Sequence, residues 1–113
     1  QKGDVMYKEF RRYPRYPISA KAVLTIRDEG SQERLTTQVI TISQAGMGVY
    51  SDVVMKKATQ VSVQLSFLAH DGITKEDIFE GRIASVCLQE DDYFVGIAFD
   101  KEIAYDRFVD IIS

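Results

Sequence analysis

The sequence predicts an all-β domain, six antiparallel strands closed into a barrel and followed by one C-terminal helix. Three observations carry this. Runs of alternating apolar and polar residues, rich in β-branched types, recur along the chain, as strands with one buried face require. Short polar turns holding Gly or Asp separate the runs, so successive strands should pair antiparallel. Only the C-terminal stretch changes to a helical period. Closure into a barrel follows because it removes unpaired edges from a small sheet.

Residues 1 to 8 show no periodicity and read as a tail or linker, leaving 9–113 as a single domain. The next segment, Glu9 to Pro17, holds both prolines of the chain. Pro14 and Pro17 keep Tyr13 and Tyr16 out of helical conformation, so the segment should be extended and stiff. Ile18 to Asp28 reads as the first strand, with Ile18, Ala20, Ala22, Leu24 and Ile26 on one face. After the Asp28–Ser31 turn, Arg34 to Ser43 forms a second strand. Leu35, Thr37, Val39 and Thr41 share one of its faces; Thr36, Gln38, Ile40 and Ile42 share the other.

The corner Gln44–Gly48 is built of small residues, and its glycines suggest a bulge or a close backbone approach. Met47 to Ser51 is a short strand. Past the polar loop Lys56–Thr59, Gln60 to Leu68 alternates with Val61, Val63, Leu65 and Phe67 on one side. His70-Asp71-Gly72 is a turn. Glu76 to Gln89 is a long strand expected to bend near Gly81. The acidic turn Glu90–Asp92 leads to a last strand, Tyr93 to Phe99. Asp100 is placed to cap a helix over 101–112, with Ala104, Tyr105, Phe108, Ile111 and Ile112 as its apolar stripe.

A chain of 113 residues with 45% hydrophobic content can build one core without metal or disulfide support. The one cysteine, Cys87, cannot form an internal disulfide, which favours a reducing compartment such as the cytoplasm. Within a strand it reads as a small buried hydrophobe. No apolar run is long enough to span a bilayer, and no signal-peptide pattern is present. The chain opens on Gln1 rather than Met, as a domain cut from a longer protein would. His70 stands alone without a second ligand cluster, so no metal site is expected. Asp91 and Asp92 read as solvated turn charges. With no nucleophile elbow or phosphate loop, enzymatic activity is not expected.

Charge is the uneven feature. The chain carries a net −3, yet Lys8–Tyr16 alone carries +3, leaving −6 elsewhere. A concentrated cation on an acidic domain suggests a compact anion site; the plain alternative is a solvated basic arm. Arg11, Arg12 and Arg15 have the planar fork that grips phosphate, pairs with a guanine edge or stacks on a flat ring. An OB-like barrel for single-stranded nucleic acid is a competing class. It should spread cations and aromatics over several strands, whereas outside the arm acidic residues outnumber basic ones by 16 to 10.

Two motifs then stand in order: an RxxxR from Arg11 to Arg15 before the first strand, and Thr41-Ile42-Ser43-Gln44-Ala45-Gly46 at the exit of the second. The second is a near match to [D/N]xSxxG. With Gly81-Arg82-Ile83, the closing Gly-x-x-Phe of Gly96–Phe99 and the terminal helix, the chain resembles the PilZ domain family over about residues 9 to 112. That resemblance implies a receptor for the bacterial second messenger cyclic di-GMP rather than an enzyme, with no cofactor. Arg11, Arg12 and Arg15 would grip phosphates or guanines, Ser43 would offer a hydroxyl, and Gly46 would admit close backbone approach. A downstream protein partner or fused domain would read the switch. Position 41 departs from the family pattern. Threonine replaces Asp or Asn, and losing a charge-assisted contact there would weaken binding by about 1.5–3 kcal/mol. Ala45 stands where a glycine is frequent. The resemblance therefore also admits a degenerate barrel that serves only as a protein-interaction module.

Overall fold

The computed structural model describes residues 13–113. Six strands appear in order: β1 Tyr16–Asp28, β2 Ser31–Ile42, β3 Gly46–Ser51, β4 Gln60–Leu68, β5 Thr74–Gln89 and β6 Asp92–Phe99. One helix follows, α1, Tyr105–Ile112. All pairings are antiparallel, and the sheet closes in the order β1-β2-β3-β6-β5-β4, with β4 returning to β1. The barrel with its terminal helix is the expected architecture.

The core follows from alternation. Leu24, Val39, Val49, Val61, Val63, Leu65 and Val95 point inward and are fully buried, and α1 covers one end with Phe108 and Ile111. Gly30 and Gly72 take φ of +70° and +83° in the β1–β2 and β4–β5 turns, which is the reason for glycine at both.

Several expectations are corrected. In β2, Ile42 is as buried as Val39, although strict alternation assigns them to opposite faces. The register steps two residues from Val39 to Thr41 while β3 steps one from Val49 to Gly48, so an extra residue at Ile40 changes the phase. In β5 the register breaks at Ala84, between Ile83 and Ser85, and not at Gly81. This second bulge turns Cys87 outward: it is an exposed cysteine, not a core residue. Finally, Asp100 does not cap α1. Its N–H donates to the Glu80 carbonyl at 2.8 Å, and residues 101–104 cross the barrel end before the helix starts. Ala104 occupies the cap position with no side-chain bond, and Tyr105, assigned to the apolar stripe, is 70% exposed.

Candidate functional site

The β2–β3 corner is held by one serine. Ser43 Oγ accepts hydrogen bonds from the backbone N–H of Ala45 (3.1 Å) and Gly46 (3.2 Å), and its own N–H donates to the Gly46 carbonyl at 2.8 Å. The side chain is buried. A short hydroxyl that folds back on nearby amides is how serine stabilises turns. The group expected to face a ligand is thus engaged inside the corner. Gly46 likewise answers to the barrel. A Cβ there would sit 2.3 Å from the Ile97 carbonyl oxygen of β6, so only glycine lets the strands approach.

Register brings the first cation to this corner. The β1–β2 ladder runs Pro17↔Thr41 and ends at Tyr16↔Ile42, so Arg15 is the residue that leads into β1 at the corner's end of the barrel. Arg15 is exposed at this strand end. Arg11 and Arg12 lie outside the described residues. Thr41 Oγ1 is buried without a hydrogen-bond partner, one of two such side-chain atoms among the described residues. It faces β3: a Cβ on Gly48 would lie 3.0 Å from Thr41 Oγ1 and 2.5 Å from Phe94 Cζ. The Phe94 ring therefore lies over Gly48, beside the threonine.

Thr41 belongs to a continuous rung across five strands, Pro17–Thr41–Gly48–Gly96–Ser85. Met47, Val49, Val95 and Ile97 point into the core, so Gly48 and Gly96 face outward. The rung is a trench of small residues on the barrel's outer side, filled at Gly48 by the Phe94 ring, which leaves that glycine buried, and at Gly96 by Ser85 Oγ. Tyr50 and Phe94 wall one side, their rings edge-on at 5.4 Å. On the other side Gly46, Ala98 and Arg82 form the neighbouring rung. Arg82 is exposed and lies two strand spacings, about 10 Å, from Gly46. Sequence reasoning did not weigh Arg82 or Phe94 as site residues. Their outward alternation was legible, but their neighbours depend on pairings across β3, β6 and β5.

The family model of the PilZ domain matches residues 9–109. The chain belongs to the PilZ domain family. Solved PilZ-type structures share its fold. The Bacillus subtilis inhibitor of motility MotI/DgrA superposes with a TM-score of 0.69 at 14% identity, covering 89% of this chain and 47% of that one. The PilZ domain of Escherichia coli YcgR, solved with cyclic di-GMP, gives 0.59 at 14% identity over 80% of this chain and 77% of that one. The Klebsiella MrkH–cyclic di-GMP complex gives 0.60 at 18% identity over 89% and 48%. This PilZ domain thus spans about half the length of MotI/DgrA and of MrkH. No curated protein sequence matches it directly. Among the described residues no helix is long and apolar enough to cross a membrane.

Proposed function

We propose that this PilZ domain is a receptor for cyclic di-GMP, held between the arginine segment and the outer trench of β2–β3. The observation that carries the reading is the β1–β2 register, which places Arg15 at the entry to β1, on the barrel end that holds the 41–46 corner, in a chain of this family. Arg15 supplies a fork for phosphate or the guanine O6/N7 edge, with Arg11 and Arg12 as further cations. Thr41 Oγ1, desolvated and unpaired, gains a partner when the Phe94 ring swings aside and a guanine donor reaches it. Ser43 and Gly46 act by fixing the corner. Arg82 adds a cation on the adjoining rung. No bond is made or broken; the domain is a switch whose readout passes to a protein partner or a neighbouring domain, in the cytoplasm where the messenger is made.

Calorimetric titration of cyclic di-GMP into the wild type and Arg15→Ala tests this. Low-micromolar or tighter binding that is lost in Arg15→Ala is the expected result. Thr41→Asn restores a carbonyl acceptor and should tighten binding about tenfold. A second reading, a barrel that binds only protein, is favoured by the inward turn of the Ser43 hydroxyl and the cover of Phe94 over Gly48. It predicts no heat from wild type or Thr41→Asn at high ligand concentration, with both proteins folded.

A further inference from the structure

The trench is closed by one of its own walls. Phe94 stands opposite Tyr50 of β3 and Cys87 of β5, yet its ring does not stay on that rung. It reaches diagonally to Gly48, so that a Cβ built there would lie 2.5 Å from Phe94 Cζ and 3.1 Å from Cε1. Glycine leaves the room that the ring fills, and Gly48 is buried although it lies on the outer face of its strand. Thr41 Oγ1 is 3.0 Å from the same Cβ position, buried and without a hydrogen-bond partner.

An apolar ring beside a hydroxyl that has lost water and gained no partner is an unfavourable arrangement. Little holds it shut. The Phe94 side chain is itself only half-buried, and it meets the Tyr50 ring edge-on at 5.4 Å. On its other side Cys87 is small and exposed, which leaves that side open to a second rotamer about χ1.

We propose that Phe94 is a gate in front of a base subsite; this rests on the cyclic di-GMP reading. In the resting domain the ring occupies the place over Gly48 that one face of a guanine takes, and ligand enters only those molecules in which the ring has turned away. The turned state opens a slot one ring wide, floored by Gly48, with Thr41 Oγ1 at one end and Tyr50 along a side. A flat base with N–H donors satisfies that slot. A purely apolar group does not, because the hydroxyl stays unpaired. The apparent affinity falls by the fraction of molecules that are open, so Phe94 and Gly48 set the receptor's threshold without touching a phosphate.

Cyclic di-GMP is titrated by calorimetry and mixed by stopped flow with the whole chain, wild type beside Phe94→Leu. Leucine branches where the ring has its Cδ atoms, so it keeps the apolar contact near Tyr50 but has nothing in place of Cε1 and Cζ over Gly48. The variant is expected to bind about tenfold tighter, with the gain in the association rate and dissociation unchanged. A merely structural lesion would not speed association. In the wild type itself, nuclear Overhauser contacts between the Phe94 ring and the Gly48 α-protons should be present without ligand and lost at saturation. Affinity in Phe94→Leu no higher than wild type, or a ring that keeps its Gly48 contacts in the complex, overturns the gate while the receptor reading stands. Binding by Phe94→Leu alone supports both. No uptake by either protein, each shown to be folded, overturns both.

Discussion

Gly46 and Ser43 belong to the motif, yet each has a duty to the barrel that can be measured without ligand. Gly46→Ala drives a methyl group into the Ile97 carbonyl, which must shift with its strand. We expect a loss of about 1–3 kcal/mol in urea unfolding. Ser43→Ala leaves the half-buried N–H groups of Ala45 and Gly46 without their acceptor and should cost about 1 kcal/mol. Either variant unfolding at the wild-type midpoint would contradict the geometry. Because of these duties, weakened ligand binding in either one does not by itself identify a ligand contact. Arg15, exposed and outside the core, is the cleaner probe. The residue scale also shows why sequence located the corner but not the trench. The TxSxxG spacing lies within one stretch of chain. The placing of Phe94 over Gly48 needs the β3–β6 register, and Arg82 needs β5 as well.

At the scale of elements, strands were legible and their irregularities were not. Period-two burial marks β4 directly, because Val61 to Phe67 alternate without a break. A bulge leaves the alternation looking plausible on its own strand and changes only which partner faces which residue. Ile40 and Ala84 gave no local sign, and the outward turn of Cys87 follows from the second. The start of α1 differs for a similar reason: Asp100 has the chemistry of a cap, but its carboxylate accepts from Gln60 Nε2 at 3.3 Å and its N–H donates to the Glu80 carbonyl, both far away in sequence. The helix makes a pH prediction of its own. The Lys75 hydrogen bond, aided by His70, holds the Asp110 carboxyl below its usual range despite partial burial; the same bond raises Lys75. Stability from Asp110 is complete above the ordinary aspartate value of ~3.9 and is lost as pH falls through its depressed folded value. That from Lys75 is complete below ~10.4 and is lost as pH rises through its raised folded value. Exchange protection of α1, corrected for intrinsic rates, should decline as pH falls past the acid limit and as it rises past the alkaline one. In Asp110→Asn the acid limb should shrink, leaving what the Arg107–Asp77 pair at 3.3 Å contributes.

For the whole molecule, closure decides how it unfolds and what it can bind. Each strand is paired on both sides, and the core runs from Ala20 to Ile111 without a division, so loss of any strand opens the rest. Urea unfolding followed by fluorescence and by far-ultraviolet dichroism should coincide in one transition. A chain starting at Tyr13 should melt close to wild type, since every buried core residue among the described residues is retained, yet should no longer bind cyclic di-GMP at wild-type strength. A melting point many degrees lower would mean that the first twelve residues support the barrel itself. The ring is nonetheless paired on both sides only in part: residues 31–37 of β2 pair with β1 alone, and residues 74–79 of β5 with β4 alone. Glu33, Arg34, Lys75, Glu76 and Asp77 stud these short edges with charge, which discourages a visiting strand from matching their main chain. A partner that recognises the doubly paired wall must discriminate by side-chain shape and charge from the first encounter, so single surface substitutions there should re-route its signalling more readily than on an open edge.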